Sequence, residues 1–211
     1  LESGRDVTVN DEKLVAASLV KLYIMLAVFD GIEHGTITDD ANVDALLKQM
    51  ITVSSNEAAN GLLSRIGNGD GKAAIATVTA TAQRYGFTSS EELRTLTGMA
   101  SGNAVENWTS TRDCGSFLSQ VYAGTLVSKN ASERMMQLLL GQTRRTKIPA
   151  GVPSGVKVAN KTGELAAVQN DVAIVFGTHP YVLAVMSSDI SSAVAPSQIT
   201  ELSRAVWDAA Q

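Results

Sequence analysis

The pattern of apolar and polar positions divides the chain into a short N-terminal strand, a long helical stretch and a C-terminal group of strands. Residues 5–10 alternate polar with β-branched residues, which is typical of a strand with one buried face. Residues 16–31 are apolar on nearly all sides, which predicts a helix buried in the middle of the protein. Further helices are predicted at 42–50, 56–66, 72–85, 109–122 (capped by Thr109) and 132–140.

The C-terminal third changes to a strand pattern. Strands are predicted at 156–161, 171–176 and 182–187, and a last helix at 197–209. This order predicts an α/β fold of the α+β type, in which both chain ends form an antiparallel sheet flanked by helices and an all-helical lobe is inserted. We expect one domain over 1–211, with 1–17 and 150–211 in the sheet lobe and 18–149 in the helical lobe. A ligand cleft is expected where the lobes meet.

The start of the chain, Leu1-Glu2-Ser3-Gly4, has the pattern of a hairpin turn whose first strand is missing, together with the N-terminal helix before it. Such a loss predicts an unpaired groove beside residues 5–10. An open sheet edge favours strand addition from another chain or an oligomer.

Composition narrows the possible partners. Of the 211 residues 45% are hydrophobic and 18% charged, which is typical of an ordered globular protein. The net charge of -4 and the lack of a basic block argue against a nucleic-acid partner. Arg144, Arg145 and Lys147 form the densest basic group; they fit a solvated surface better than a ligand site, although they would also help to attract a carboxylate. No apolar run reaches transmembrane length.

Cysteine and histidine provide little chemistry. Cys114 is the single cysteine and is predicted to be a buried, inert thiol on a helix. His34 and His179 both lie in turn-like sequence without metal-ligand spacing, so we expect neither a metal nor another cofactor. The same settings argue against a Ser-His-Asp hydrolase.

Ser18 and Lys21 are the first candidates for catalysis. They lie one turn apart on one face of the predicted buried helix. A buried lysine must find partners or lose its proton, and an uncharged amine can act as the base that a serine nucleophile needs. The alternatives are a helix-capping serine and a lysine that reaches the surface. Spacing alone does not decide, because Ser154 and Lys157 share it.

Two further short patterns contain groups suited to a cleft. Ser54-Ser55-Asn56 lies at a break between two predicted helices, where a hydroxyl and an amide can project, although it is equally typical of a helix cap; Ser101-Gly102-Asn103 has the same form. Lys161-Thr162-Gly163 is expected at the end of a strand, where it supplies a charge, a hydroxyl and close access for a ligand. By itself the triplet also fits a strand ending in a turn.

Together and in this order, S-x-x-K, S-x-N and K-T-G are the set found in β-lactamases and penicillin-binding proteins. Over essentially its whole length the chain resembles the class A β-lactamase-like serine hydrolases. The resemblance implies that Ser18 forms an acyl-enzyme, that Lys21 takes its proton, and that Ser54 relays a proton to the leaving nitrogen. It also implies that Asn56 binds the amide side chain of the substrate.

The resemblance further implies that Lys161 and Thr162, next to Gly163, hold the substrate carboxylate. The backbone N–H groups of Ser18 and Glu164 would form the oxyanion hole. The implied ligands are β-lactams or D-Ala-D-Ala-type peptidoglycan peptides, and the implied location is outside the cytoplasm, secreted or attached to the cell envelope.

The chain departs from the family pattern at several points. The glutamate of the loop motif E-x-x-L-N, which releases the acyl group in class A enzymes, is absent; Thr97 is its best-matching position, and Glu106 lies in a structural-looking setting. Ser55 replaces an aspartate, and the chain is short near residues 38–43. We therefore expect slow deacylation, as in a weak hydrolase or a D,D-peptidase-like protein, and not an efficient β-lactamase. The alternative is an envelope binding module that retains the fold without turnover.

Overall fold

The computed structural model describes residues 1–96 and 105–211, in which helices outnumber strands. The α-helices are α1 (Lys21–Glu33), α2 (Ala41–Thr52), α3 (Asn56–Ile66), α4 (Gly71–Arg84), α5 (Thr111–Ala123), α6 (Lys129–Leu140) and α7 (Ala195–Ala210). The strands are β1 (Leu14–Val15), β2 (Trp108–Thr109), β3 (Lys157–Leu165), β4 (Val168–Phe176) and β5 (Tyr181–Val185). Single 3-10 turns lie at Ala17–Val20 and Ile148–Gly151.

Both sheets are antiparallel. The larger has the strand order β3-β4-β5, and the smaller pairs β1 with β2. Helices cover the larger sheet, with α7 and the 3-10 turn at Ile148–Gly151 against one side and α5 and α6 against the other. The predicted mixed fold, with an antiparallel sheet, flanking helices and a helical lobe, is confirmed.

The N-terminal strand prediction is wrong. Residues 5–10 form no strand, and Val7 and Val9 are 83% and 76% exposed. Alternation stabilises a strand only when one face is buried and the backbone is paired, and neither holds here. The larger sheet is therefore built from C-terminal strands, and β1 is the strand that the N-terminal segment supplies.

Local details also differ from the sequence prediction. Ser110, and not Thr109, caps α5, because its Oγ accepts the Asp113 N–H at 3.1 Å. The first predicted helix is split into the 3-10 turn and α1. Lys161-Thr162-Gly163 lies inside β3, which runs on to Leu165.

The core is arranged around α1, as predicted from its apolar surface. All its residues from 21 to 31 are buried. The Tyr23 ring packs against Phe87 and Phe117 at centroid distances of 5.7 and 5.9 Å, and its hydroxyl is 2.7 Å from Thr109 Oγ1. Cys114 is buried as expected, and burial raises the pKa of its thiol to about 11. Among the helices of the described residues, none has the length and apolarity to cross a membrane.

Candidate active site

Ser18 lies in the 3-10 turn that leads into α1, and the backbone before it is held in an unusual conformation. Ala17 has a φ of 47°, a left-handed value that costs a non-glycine residue about 1 kcal/mol. The Asn170 side chain on β4 donates from Nδ2 to Val15 O at 3.1 Å and to Ala16 O at 3.3 Å. The strand thus fixes the turn that presents Ser18.

Gly163 allows β3 to approach the same turn. A Cβ at this position would lie 2.7 Å from Ala16 O, closer than real contacts permit, and 3.1 Å from Leu19 Cγ, which is a tight contact. The glycine therefore lets β3 pack closely against the turn that carries Ser18. The predicted oxyanion hole requires the Glu164 N–H beside that turn, and Glu164 follows Gly163 directly on β3.

Lys21 is fully buried at the start of α1 and contacts two of the predicted motifs. Its Nζ lies 3.2 Å from Ser18 Oγ and 3.2 Å from Ser54 Oγ. Shorter bonds join Nζ to Ser54 O at 2.6 Å and to Asn56 Oδ1 at 2.7 Å. The lysine does not reach the surface, and the structure brings Ser18, Lys21, Ser54 and Asn56 together.

These four contacts suit an amine that can lose its proton. The two oxygens at 2.6 and 2.7 Å only accept, so they take two N–H groups. A neutral amine keeps both donations and has a lone pair left for a hydroxyl proton. Burial lowers the pKa of Lys21 to about 8, with the Arg144 charge adding to the effect and Glu92 opposing it. Lys21 is therefore suited to act as a base toward Ser18.

Ser54 lies between two lysines. Its Oγ is 3.0 Å from Lys161 Nζ as well as 3.2 Å from Lys21 Nζ, and its φ of 63° is again left-handed. The helix-cap alternative applies to its neighbour: Ser55 Oγ accepts the Ala58 N–H at 3.1 Å and caps α3. The hydroxyl of Ser54 is thus free for a relay between the two amines.

Lys161 is fully buried on β3 and donates to Thr162 O at 2.7 Å. Burial lowers its pKa well below the usual lysine value, and the charges of Lys21 and Arg144 act in the same direction. Asp171 on β4 opposes this shift; it is itself fully buried, which raises its pKa to about 7. Thr162 is also buried, 2% exposed.

The Glu164 side chain is paired with cations. Its carboxylate contacts Arg144, and Lys147 Nζ lies 2.9 Å from Oε1. Burial opposes ionisation, but these cations lower the pKa of Glu164 below its usual range. Arg144 is half exposed, and it acts electrostatically on both Lys21 and Lys161. Lys147 is 1% exposed, so the basic group of Arg144, Arg145 and Lys147 is not merely a solvated surface.

The competing sequence patterns lie elsewhere. Ser154 and Lys157 are both exposed, outside the cluster around Lys21. Glu106 pairs with Arg94 at 2.9 Å, consistent with a structural role. Thr97 and Ser101-Gly102-Asn103 lie outside the described residues. Within the described ranges, no three His, Cys, Asp or Glu side chains are grouped as a metal ion requires.

Sequence reasoning missed three residues near this cluster. Asn170 and Asp171 are polar residues in the middle of a strand that is otherwise buried and apolar, and this interruption was the available indication. Glu92 is 1% exposed and acts electrostatically on Lys21, but nothing in the local sequence distinguishes it from its neighbour Glu91, whose side chain is 28% exposed.

Comparison with solved structures defines the fold. The chain superposes on a β-lactamase from Sphaerobacter thermophilus DSM 20745 with a TM-score of 0.87 at 22% identity, covering 99% of this chain and 88% of that one. It also matches PBP-A (TM-score 0.82, 23% identity, 95% and 82% covered) and a variant of the ancestral class A β-lactamase of Gram-negative bacteria (0.83, 22%, 99% and 89%). At these identities the likeness establishes a β-lactamase fold.

The family assignment comes from the sequence. The model of the β-lactamase enzyme family matches residues 39–210. The chain therefore belongs to the β-lactamase enzyme family, and this supports a serine hydrolase of the β-lactamase type. No curated protein sequence matches the chain.

Proposed function

We propose that this protein is a serine hydrolase that forms an acyl-serine with β-lactams or D-Ala-D-Ala-type peptidoglycan peptides and releases it slowly. The observation that carries the proposal is the position of Lys21 Nζ, which lies 3.2 Å from both Ser18 Oγ and Ser54 Oγ. Burial lowers the pKa of this amine to about 8. A base matched to neutral pH beside a serine hydroxyl is what nucleophilic catalysis requires.

In the proposed acylation, Ser18 Oγ attacks the substrate carbonyl while its proton moves to Lys21. The new C–O bond places negative charge on the carbonyl oxygen, which the Ser18 and Glu164 N–H groups would stabilise. The C–N bond then breaks, and Ser54 passes a proton from the amines to the leaving nitrogen. Ser54 is suited to this role because Lys21 and Lys161 both contact its hydroxyl.

Substrate selection is assigned to three side chains next to the cluster. The half-exposed Arg144 would attract the carboxylate that both substrate classes carry, and Lys161 and Thr162 would hold it by hydrogen bonds. Asn56 would bind the substrate amide, although in the free protein its Oδ1 is used by Lys21. A PBP-A variant of the same fold is described as an acyl-enzyme complex with penicillin G, which supports a penicillin as the test ligand.

Slow deacylation is proposed because no glutamate stands at the matching loop position, Thr97. Glu106 is held by Arg94 and so does not replace it. An envelope or secreted location is proposed only because the proposed substrates are found there.

The test is intact-mass analysis over time with a reporter penicillin. We expect one adduct that forms within the assay, persists, and is absent from Ser18→Ala; Ser154→Ala, at the second S-x-x-K pattern, is the matched control and should acylate normally. Rapid penicillin loss without a persistent adduct would contradict slow deacylation.

A binding module without turnover is the second candidate, favoured by the replacement of an aspartate by Ser55, which serves only as a helix cap. Absence of any adduct in protein shown to be folded would favour it.

Strand addition is also proposed, at a different place from the predicted groove. In the described residues β5 pairs with β4 alone, so its other edge is open. A concentration-dependent dimer in sedimentation experiments would support this, and a monomer at all concentrations would count against self-association.

A further inference from the structure

A carboxylate of the protein itself is bound to Arg144. One oxygen of the Glu164 side chain accepts from Arg144 Nη1, and Lys147 Nζ lies 2.9 Å from the other oxygen. Burial opposes the charge of Glu164, but the two cations outweigh this effect and hold the pKa of Glu164 below its usual range. Glu164 is therefore ionised at neutral pH, and it uses part of the guanidinium that the proposed function assigns to the substrate carboxylate.

The alternation of side chains along β3 places this ion pair beside Thr162. Successive side chains of a strand point to opposite faces, so Asn160, Thr162 and Glu164 share one face of β3. Asn160 Nδ2 donates to Arg144 O at 3.3 Å, and the Arg144 guanidinium contacts Glu164 at the other end of this row. The Arg144 side chain therefore runs along this face past Thr162, the residue proposed to hold the substrate carboxylate.

The loop that carries Arg144 is anchored on both sides of the arginine. Before it, the Thr143 N–H and Oγ1 both donate to Thr52 O at 3.0 Å. After it, Lys147 Nζ donates to Asn170 O at 3.1 Å. These bonds hold the backbone of Arg144 without help from Glu164, so loss of the Glu164 charge should leave the arginine beside Thr162.

Arg144 also keeps donors for a ligand. A guanidinium has several N–H groups and binds a carboxylate best through two parallel hydrogen bonds. The Arg144 side chain is 49% exposed and that of Glu164 is 29% exposed, so solvent and ligands reach both. A substrate carboxylate at Thr162 thus meets a guanidinium that is already shared and a like charge next to it, which opposes its binding.

We propose that Glu164 is a specificity-determining residue that competes with the substrate for Arg144 and so reduces the advantage of substrates with a free carboxylate. This inference rests on the proposed function, because it concerns the same carboxylate site. A substrate carboxylate gains Arg144 only by weakening the existing ion pair. A neutral amide or ester at the same position is not repelled by Glu164. The protein therefore accepts peptides with an amidated end more readily than a site with an unpaired arginine would.

The experiment uses Glu164→Gln, which keeps the size of the side chain and an acceptor for Arg144 but removes the charge. N-acetyl-D-Ala-D-Ala and its C-terminal amide are titrated into protein that also carries Ser18→Ala, so that no acyl-serine forms. Binding is followed by the ¹⁵N side-chain signal of Arg144, assigned by its absence from Arg144→Lys. We expect the affinity ratio of carboxylate to amide to rise about two- to fivefold in Glu164→Gln, the range of a solvent-accessible ion pair.

Acylation provides a second measurement in protein that retains Ser18. The rate of adduct formation is compared for a reporter penicillin and for its methyl ester, in which the carboxylate is neutral. The ratio of the two rates should rise in Glu164→Gln by about the same two- to fivefold, because the same ion pair is removed.

Glu91→Gln is the matched control, because it makes the same change at a carboxylate of similar exposure, 28% against 29%, that is paired with Lys13 at 2.8 Å. It should leave the ratio of carboxylate to amide unchanged. Glu164→Gln leaves the buried Lys147 without its ion pair, so the double variant Lys147→Met/Glu164→Gln removes both charges and keeps the test possible if the single variant does not fold. The ratio should rise in the double variant too, since Arg144 is released in both.

An unchanged ratio in a folded Glu164 variant would overturn the proposal, and so would the absence of carboxylate binding in both proteins. A fall in the ratio would also overturn it and would show that Glu164 helps Arg144 to bind the carboxylate. The titration needs no acylation, so the two proposals can fail separately. A raised ratio without any penicillin adduct would support the role of Glu164 and refute the acyl function; an adduct with an unchanged ratio would do the reverse.

Discussion

Replacement of Asn170 by leucine is expected to destabilise the protein and to disturb the turn that presents Ser18. The Asn170 side chain is fully buried and makes three hydrogen bonds. Nδ2 donates to Val15 O and Ala16 O, and Oδ1 accepts the Ser187 N–H at 3.0 Å. Leucine has a similar size but can make none of them.

The magnitude follows from these bonds. Each net hydrogen bond contributes about 1 kcal/mol, and buried backbone groups left without a partner add to the loss. We therefore expect Asn170→Leu to lower the free energy of unfolding by about 3 to 5 kcal/mol. Acylation should slow about 10- to 100-fold, because the left-handed Ala17 is no longer fixed and a small displacement of Ser18 is costly.

Urea unfolding at constant m-value measures the first effect, and the rate of adduct formation with a reporter penicillin measures the second. Gln169→Met is the matched control on the same strand, because its side-chain amide makes only a 3.5 Å contact with Leu165 O; its cost should stay below about 1 kcal/mol. If Asn170→Leu loses stability but acylates at the parent rate, Asn170 does not position Ser18. If it unfolds like the parent, the hydrogen-bond reasoning itself is refuted.

Three further outcomes are expected. With a Lys21 pKa of about 8, the neutral fraction is about one tenth at pH 7 and one half at pH 8, so the acylation rate should rise about fivefold between them; a flat profile would exclude Lys21 as the base. Gly163→Ala should cost about 1 to 3 kcal/mol in urea unfolding, since its Cβ would lie 2.7 Å from Ala16 O, whereas Gly115→Ala, in open space on α5, should be neutral or stabilising. The pKa of Glu92 is raised from 4.5 to about 8, so the stability it contributes is present at low pH and lost as pH rises through that range. Relative to the parent, Glu92→Gln should gain about 4 kcal/mol between pH 5 and pH 8.5, and no gain in urea unfolding would show that Glu92 is not neutral in the fold.

Much of the local structure could be predicted from the sequence because it depends on short-range pattern. The apolar surface of residues 21–33 dictates a buried helix wherever it is placed, and α3 begins and ends at the predicted residues, 56 and 66. The motif order also identified the residues around Lys21, since buried polar groups in an apolar context are rarely accidental.

The strand at residues 5–10 could not be decided in this way. Alternation shows only that a strand would be amphipathic, and the presence of a pairing partner is a tertiary fact. The same limit applied to Ser54 and Ser55, which look alike in sequence. The fold decides that Ser55 caps α3 and that Ser54 lies between Lys21 and Lys161.

The sequence by itself therefore determined the helices, the strand-forming C-terminal third and the set of reactive residue types. The tertiary structure decided their environment. Lys21 acquires a low pKa because the packed segments bury it and the Arg144 charge adds to the effect. The turn that presents Ser18 is held by Asn170, a residue 152 positions away from Ser18 on β4. Burial and long-range electrostatics arise only when distant segments pack together, and these two effects turn a serine and a lysine one turn apart into a candidate catalytic pair.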